Sequence, residues 1–204
     1  MADGPILFID SGIGGIPYLE AVRRHLPHER LVYVADTAHF PYGDRDADEI
    51  RRIVVELAAA ALERFAPKLV VVACNTATVV ALDALRGRFT VPFVGVVPAV
   101  KPAALSAEGG TITVLSTART ADAEYLARLI ESFAGNNEVR ILAAGDLVSF
   151  VEYRLEASTA AERRDAVFKA LRGAAELLAH SESVVLGCTH FTHLSREIQD
   201  FVGS

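Results

Sequence analysis

Leu69-Val-Val-Val-Ala-Cys74-Asn-Thr76 and Ser183-Val-Val-Leu-Gly-Cys188-Thr-His190 are the two stretches whose reading decides the fold. Each opens as a short β-branched apolar run, the pattern of a strand covered on both faces. Each then breaks into a cysteine followed by hydroxyl or amide side chains. A second pair of segments runs in parallel. Ile6-Leu-Phe-Ile-Asp-Ser11 leads into a helix containing Tyr18-Leu19, and Ile112-Thr-Val-Leu-Ser116 leads into one containing Tyr125-Leu126. Chance likeness between short apolar strands competes with the other explanation, two pseudo-symmetric lobes that each present one thiol to a shared cleft.

Outward from these segments, strands and helices alternate. Strands are expected at 6–10, 31–35, 68–73 and 91–96 in the first half, and at 111–115, 139–143 and 184–186 in the second. Helices are expected at 16–26 (stopped by Pro27), from an Asp46 cap to Pro67, and from Cys74 to about Arg86. In the second half, Thr120 is read as the cap of a helix ending near Gly135. Further helices are expected over about 146–154, from Ser158 or Thr159 to about His180, and over 195–202. No element is assigned to 98–110. Repeated strand–helix units imply an α/β fold with mostly parallel sheets flanked by helices. The lobes are placed at 1–97 and 98–204, the final residues being read as able to pack back on the first lobe.

Composition narrows the function. The chain has 204 residues, a formal net charge of −6 and no long basic run, which argues against nucleic acid as its main partner. No stretch approaches about 18 uninterrupted apolar residues, so no membrane span is expected. Met1 to Pro5 does not read as a leader peptide, and the expected location is cytoplasmic. Two cysteines in that compartment are expected to be reduced.

The strand ends carry the chemistry. In open parallel sheets ligands sit beyond the carboxyl ends of the strands. Four such ends are polar: Asp10-Ser11-Gly12-Ile13-Gly14-Gly15, Asp36-Thr37 running to Pro41-Tyr42-Gly43, Cys74-Asn75-Thr76, and Gly187-Cys188-Thr189-His190. Free N–H groups at following helix starts suit an anion, a carboxylate or a phosphate alike. A thiol at a helix N-terminus is more easily ionised, and both cysteines precede predicted helices. Asp10 is placed to orient or deprotonate a neighbouring thiol, or simply to cap the turn at Gly12. His190 is a candidate base or acid for Cys188. Cys188-x-His190-x-x-His193 invites a zinc reading but lacks an obvious fourth ligand. His25, His28, His39 and His180 are assigned to solubility.

These four segments, in this order and at about this separation, resemble the signature segments of glutamate racemase, over residues 6–194. Aspartate racemase shares the fold and the paired cysteines but usually has Glu where His190 stands. The resemblance implies conversion of L-glutamate to D-glutamate for bacterial peptidoglycan, with neither cofactor nor metal, and leaves room for a homodimer. It implies that Asp10, Ser11, Pro41, Tyr42, Gly43, Asn75, Thr76, Thr189 and His190 hold the substrate, and that Thr117 and Thr120 are further binding positions. It makes Asp10, His190 and Glu152 auxiliary acid–base groups around the catalytic Cys74 and Cys188, with Cys74 on the D-face and Cys188 on the L-face. Family members continue for several tens of residues past the Gly-Cys-Thr-His segment and return to the first lobe. The resemblance therefore implies that the first lobe of this sequence lacks a strand and a helix.

The chemistry agrees with two thiols. The Cα hydrogen of an amino acid is a very weak acid, and racemisation removes it from one face and returns a proton to the other. Two acid–base groups on opposite faces do this without turning the substrate. Thiols, with an ordinary pKa of about 8.5, can be brought toward working pH. A racemase of the same fold acting on aspartate or another amino acid is the competing enzymatic reading. A shortened, inactive relative serving as a binding protein is the competing non-enzymatic one.

Overall fold

The computed structural model describes residues 4–203. Ser204 and Met1 to Asp3, on which part of the leader-peptide reading rests, lie outside the described residues. The chain divides into two compact units, Met1–Val97 and Pro98–Ser204.

In the first unit the elements are β1 (Ile6–Asp10), α1 (Ile16–His25), β2 (Leu31–Ala35), α2 (Ala47–Phe65), β3 (Leu69–Val72), α3 (Asn75–Arg88) and β4 (Phe93–Gly95). A 3₁₀ turn over Tyr42–Asp44 precedes α2. The strands form one parallel sheet in the order β2-β1-β3-β4. β1 is buried along its whole length, because both of its faces are covered. Leu7 and Ile9 pack toward Ile50 and Val54 of α2 and Leu82 and Leu85 of α3. Ile6 and Phe8 pack with Tyr18, Leu19 and Val22 of α1 and with Tyr33 of β2. That is why its sequence is an unbroken apolar run, not an alternating one. Each such buried side chain stabilises the fold by about 1.5–3 kcal/mol. The Asp46 side chain caps α2 by accepting from the Asp48 amide. Ala66, at φ 43°, ends that helix in a left-handed turn.

In the second unit the elements are α4 (Val100–Ala107), β5 (Thr111–Ser116), α5 (Ala118–Ala121), α6 (Glu124–Phe133), β6 (Glu138–Ala143), α7 (Gly145–Arg154), α8 (Ala160–Leu171), α9 (Ala175–Ala179), β7 (Ser183–Leu186) and α10 (Ser195–Val202). The strands are parallel in the order β6-β5-β7. Ile112, Val114 and Val185 pack on Val100 and Leu126. The paired sequence segments have equivalent places in the two sheets. β1 and β5 are central, and β3 and β7, which lead to the cysteines, each lie beside them.

Three expectations are corrected. Thr120 caps no long helix: the Thr117 side chain caps α5 by accepting from the Thr120 amide, and Asp122 and Ala123 separate α5 from α6. The helix expected over 159–180 is three pieces, with a 3₁₀ turn at Arg172–Ala174 between α8 and α9. Gly173 sits in that turn, and a glycine in a helix interior costs about 1 kcal/mol. α4 occupies part of the unassigned stretch, with Pro102 inside its first turn, where a missing N–H breaks no helical hydrogen bond. Within its own unit, α10 packs against α8 and α9. Its apolar face buries Ile198 and sets Phe201 edge-on to Phe168 at 6.1 Å. No helix among the described residues is long and apolar enough to cross a membrane.

Candidate active site

In the first unit the carboxyl ends of β1, β2 and β3 bring the predicted residues together. Parallel pairing places Ile9 opposite both Val34 and Val72, so the residues following these strands emerge at one sheet edge. Asp10, Ser11, Cys74, Asn75 and Thr76 are all buried there, at 5 % exposure or less. The Asp10 Oδ1 accepts from the Ser11 amide at 2.6 Å and from the Ser11 hydroxyl at 3.3 Å. The Ser11 hydroxyl lies 4.0 Å from the Cys74 sulfur. Cys74 is the N-cap of α3, its sulfur accepting from the Ala77 amide at 3.5 Å. Negative charge on this sulfur therefore meets the positive end of a 14-residue helix.

Asn75 is the next residue, and the fold leaves it unsatisfied. Its side-chain oxygen and nitrogen are both buried without a hydrogen-bond partner among the described residues. Native structures rarely leave buried polar groups unpaired unless something else binds them.

The Tyr42 hydroxyl donates to Asp36 Oδ2 at 2.6 Å. Asp36 also holds His39, whose Nδ1 lies 2.9 Å from both carboxylate oxygens. His39 thus belongs to a buried carboxylate's network and not merely to a solvated surface. His25 and His180 instead bond back to the carbonyls of Ala21 and Glu176 in their own helices.

Tyr33, which sequence reasoning missed, sits beneath this edge. Its hydroxyl donates to the Gly12 carbonyl at 2.8 Å, lies 3.3 Å from Asp10 Oδ2, and accepts from the Gly15 amide at 3.0 Å. Burial, then the Asp10 charge, push its phenol far above the ordinary range. For Tyr42 burial comes first and the hydrogen bond to Asp36 second. Both phenols remain neutral donors. The available signal for Tyr33 was a lone hydroxyl in an apolar strand, since a buried tyrosine needs a partner.

Gly15 closes this turn. A Cβ there would stand 2.7 Å from the Ala73 Cβ, 2.8 Å from the Ala73 carbonyl oxygen and 2.9 Å from the Tyr33 hydroxyl. The backbone carbonyl cannot yield. Gly15→Ala is therefore expected to destabilise the protein by about 1–3 kcal/mol, lowering Tm by about 5 °C in a thermal melt. An unchanged Tm would show that the turn relaxes freely.

In the second unit Cys188 follows β7 and is also buried. Its setting differs from the expected helix start. A six-residue 3₁₀ turn, Thr189–Leu194, follows it, and its side chain caps nothing. Its partner is instead an imidazole: the sulfur lies 3.9 Å from His190 Nδ1. His190 Nε2 in turn lies 3.0 Å from Glu152 Oε2, with the two side chains 2 % and 7 % exposed. Glu152 comes from α7, which packs on the 3₁₀ turn. Thiol, imidazole and carboxylate thus stand in series. Thr189 is buried beside them; Thr117 and Thr120 are buried at the end of β5, 3.1 Å apart through their hydroxyls. Among the described residues no group of three or more His, Cys, Asp or Glu side chains is placed to hold a metal ion.

Known proteins resemble this chain in sequence and fold. The chain is 40 % identical to the glutamate racemase of Shewanella denitrificans over 200 residues, covering 98 % of this chain and 71 % of that protein. It is 41 % identical to that of Herpetosiphon aurantiacus over 204 residues, covering 100 % and 78 %. Escherichia coli glutamate racemase, solved with L-glutamate and an activator, superposes with a TM-score of 0.87 at 36 % identity, over 97 % of this chain and 74 % of that one. The Thermus thermophilus glutamate racemase, solved with beta-chloro-D-alanine, gives 0.78 at 33 % identity, over 98 % and 73 %. A sequence profile described as Asp/Glu/hydantoin racemase matches residues 18–203. With the profile spanning nearly the whole chain, this protein belongs to the Asp/Glu/hydantoin racemase family.

Proposed function

We propose that this protein interconverts L- and D-glutamate by proton transfer between two thiols, Cys74 and Cys188, without a cofactor. The observation that carries this reading is that each unit ends a core strand in a buried thiol with its own acid–base surroundings. When His190 Nε2 carries its proton toward Glu152, Nδ1 presents a lone pair to the Cys188 thiol and takes its proton. The resulting imidazolium lies between thiolate and carboxylate. The thiolate removes the Cα proton of L-glutamate, and the Cys74 thiol returns one to the opposite face. The turn ends with the two protonation states exchanged, so the reverse reaction begins where the forward one stops.

Charge that builds on the substrate carboxylate as the carbanion forms needs donors already in place. The unpartnered Asn75 amide supports that role, together with Ser11, Thr76 and Thr189. D-glutamate for peptidoglycan, made in the cytoplasm, is the corresponding cellular role.

The test is the optical activity of L-glutamate incubated with purified, EDTA-dialysed protein, with L-aspartate in parallel. The expected result is decay of the glutamate circular-dichroism signal to zero with no cofactor added, and a much slower decay for aspartate. Preference for aspartate would move the substrate assignment. Activity lost on chelation and restored by zinc would overturn the two-thiol mechanism.

A further inference from the structure

Between the end of β2 and the start of α2 the chain crosses residues 36–46, the stretch that contains Pro41, Tyr42 and Gly43. Both of its ends are anchored: the Asp36 amide donates to the Asp10 carbonyl at 2.8 Å, and Asp46 caps α2. Midway, His39 is held at two points. Its Nδ1 lies 2.9 Å from both carboxylate oxygens of Asp36, and its carbonyl accepts from Arg45 Nε at 2.6 Å. An ionised carboxylate only accepts, so Nδ1 carries the hydrogen. Asp36 Oδ2 also takes the Tyr42 hydroxyl, and the Tyr42 carbonyl accepts from the Arg45 amide at 3.1 Å. Arg45 pairs in turn with Glu49 of α2. The imidazole therefore joins the anchored carboxylate to the far half of the segment. The carboxylate is 8 % exposed and the imidazole 46 %, so this contact is partly sheltered from the screening that weakens surface pairs.

We propose that His39 is a positioning residue for substrate binding: its imidazole fixes the Asp36 carboxylate, and through it the turn around Tyr42 that holds glutamate. This rests on the racemase reading, in which Pro41, Tyr42 and Gly43 are substrate-binding positions. Without the ring, Asp36 Oδ1 loses its donor, and a buried acceptor that loses its donor turns away or draws in water. Either change loosens Oδ2, on which the Tyr42 hydroxyl depends. The proton path is left alone, because the His39 ring bonds to Asp36 and to neither thiol. The core is also left alone, since the ring is exposed and fills no buried site.

Two variants test this. His39→Ala removes the donor. His39→Asn keeps one, because the amide nitrogen stands as many bonds from the backbone as Nδ1 does. In His39→Ala the KM for both enantiomers is expected to rise by about fivefold, with kcat within about twofold of wild type. His39→Asn should return KM to near the wild-type value. Hydrogen exchange of the Arg45 amide, followed by NMR, should be about fivefold faster in His39→Ala and slow again in His39→Asn. A merely structural role would lower Tm in His39→Ala and leave KM where it is. An unmoved KM in His39→Ala, an equal rise in both variants, or a loss confined to kcat overturns the proposal. Unchanged Arg45 exchange in His39→Ala overturns it too, and that measurement needs no activity. Wild-type protein that racemises neither enantiomer overturns the functional reading instead.

Discussion

Cys74→Ser and Cys188→Ser should each lower kcat/KM for glutamate racemisation by about three orders of magnitude or more, since positioned general acid–base groups contribute about 10²–10⁴-fold. A serine hydroxyl is far too weak an acid to alternate between donor and base at neutral pH. The loss should not come from unfolding. Cys74 caps α3 by accepting from the Ala77 amide, and serine is a preferred residue at that position. Cys188 caps nothing, so serine there removes only the sulfur beside His190. Near-wild-type thermal melts with lost turnover are therefore the expected pair of results. Solvent deuterium adds a sharper one. A variant that keeps one thiol still has a base on one face, and that base can return a solvent deuteron to the face it came from. Cys188→Ser should exchange the Cα hydrogen of D-glutamate without racemising it, and Cys74→Ser should do so for L-glutamate. Near-normal turnover in either variant would end the two-thiol mechanism.

His190→Asn should show an asymmetric loss. The imidazole lies on the Cys188 side, 3.9 Å from that sulfur, and its far nitrogen is held by Glu152 at 3.0 Å. If Cys188 faces the L-enantiomer, the substitution removes the group that prepares the base for L-glutamate, and the group that receives the proton afterwards for D-glutamate. The equilibrium constant between enantiomers is one, so kcat/KM must fall equally in the two directions. The expected signature is an equal fall of about 10²-fold in kcat/KM with unequal falls in kcat, larger from L-glutamate, and compensating changes in KM. Glu152→Gln keeps a side chain of the same size beside Nε2 and removes the charge that stabilises the imidazolium. It should reproduce the same asymmetry at reduced size. Progress curves from each enantiomer, read by circular dichroism, measure all four constants. Equal falls in kcat from both sides would place His190 in the turn's structure rather than in the proton path.

The sequence by itself determined the two parallel sheets and the cysteines at their strand ends. β1 and β2 were legible residue for residue, because an apolar run bounded by glycine, proline and acidic residues has few alternatives in a compact α/β chain. The same holds for Cys74, whose helix start is written in the residues around it. What sequence could not supply was any contact made across elements. The break between α8 and α9, and the handover of the cap from Thr120 to Thr117, turn on one or two backbone angles that periodicity does not encode. Glu152 was named only through resemblance; its 3.0 Å contact with His190 exists because α7 packs on the turn after β7, 38 residues away in sequence. The contacts of the Tyr33 hydroxyl were invisible for the same reason. Its strand is apolar and its ring belongs to the core, but parallel register sets it opposite Phe8 and sends its hydroxyl to the turn beyond β1. Local propensity settles which residues form a strand; only the packed sheet decides which of their polar atoms meet.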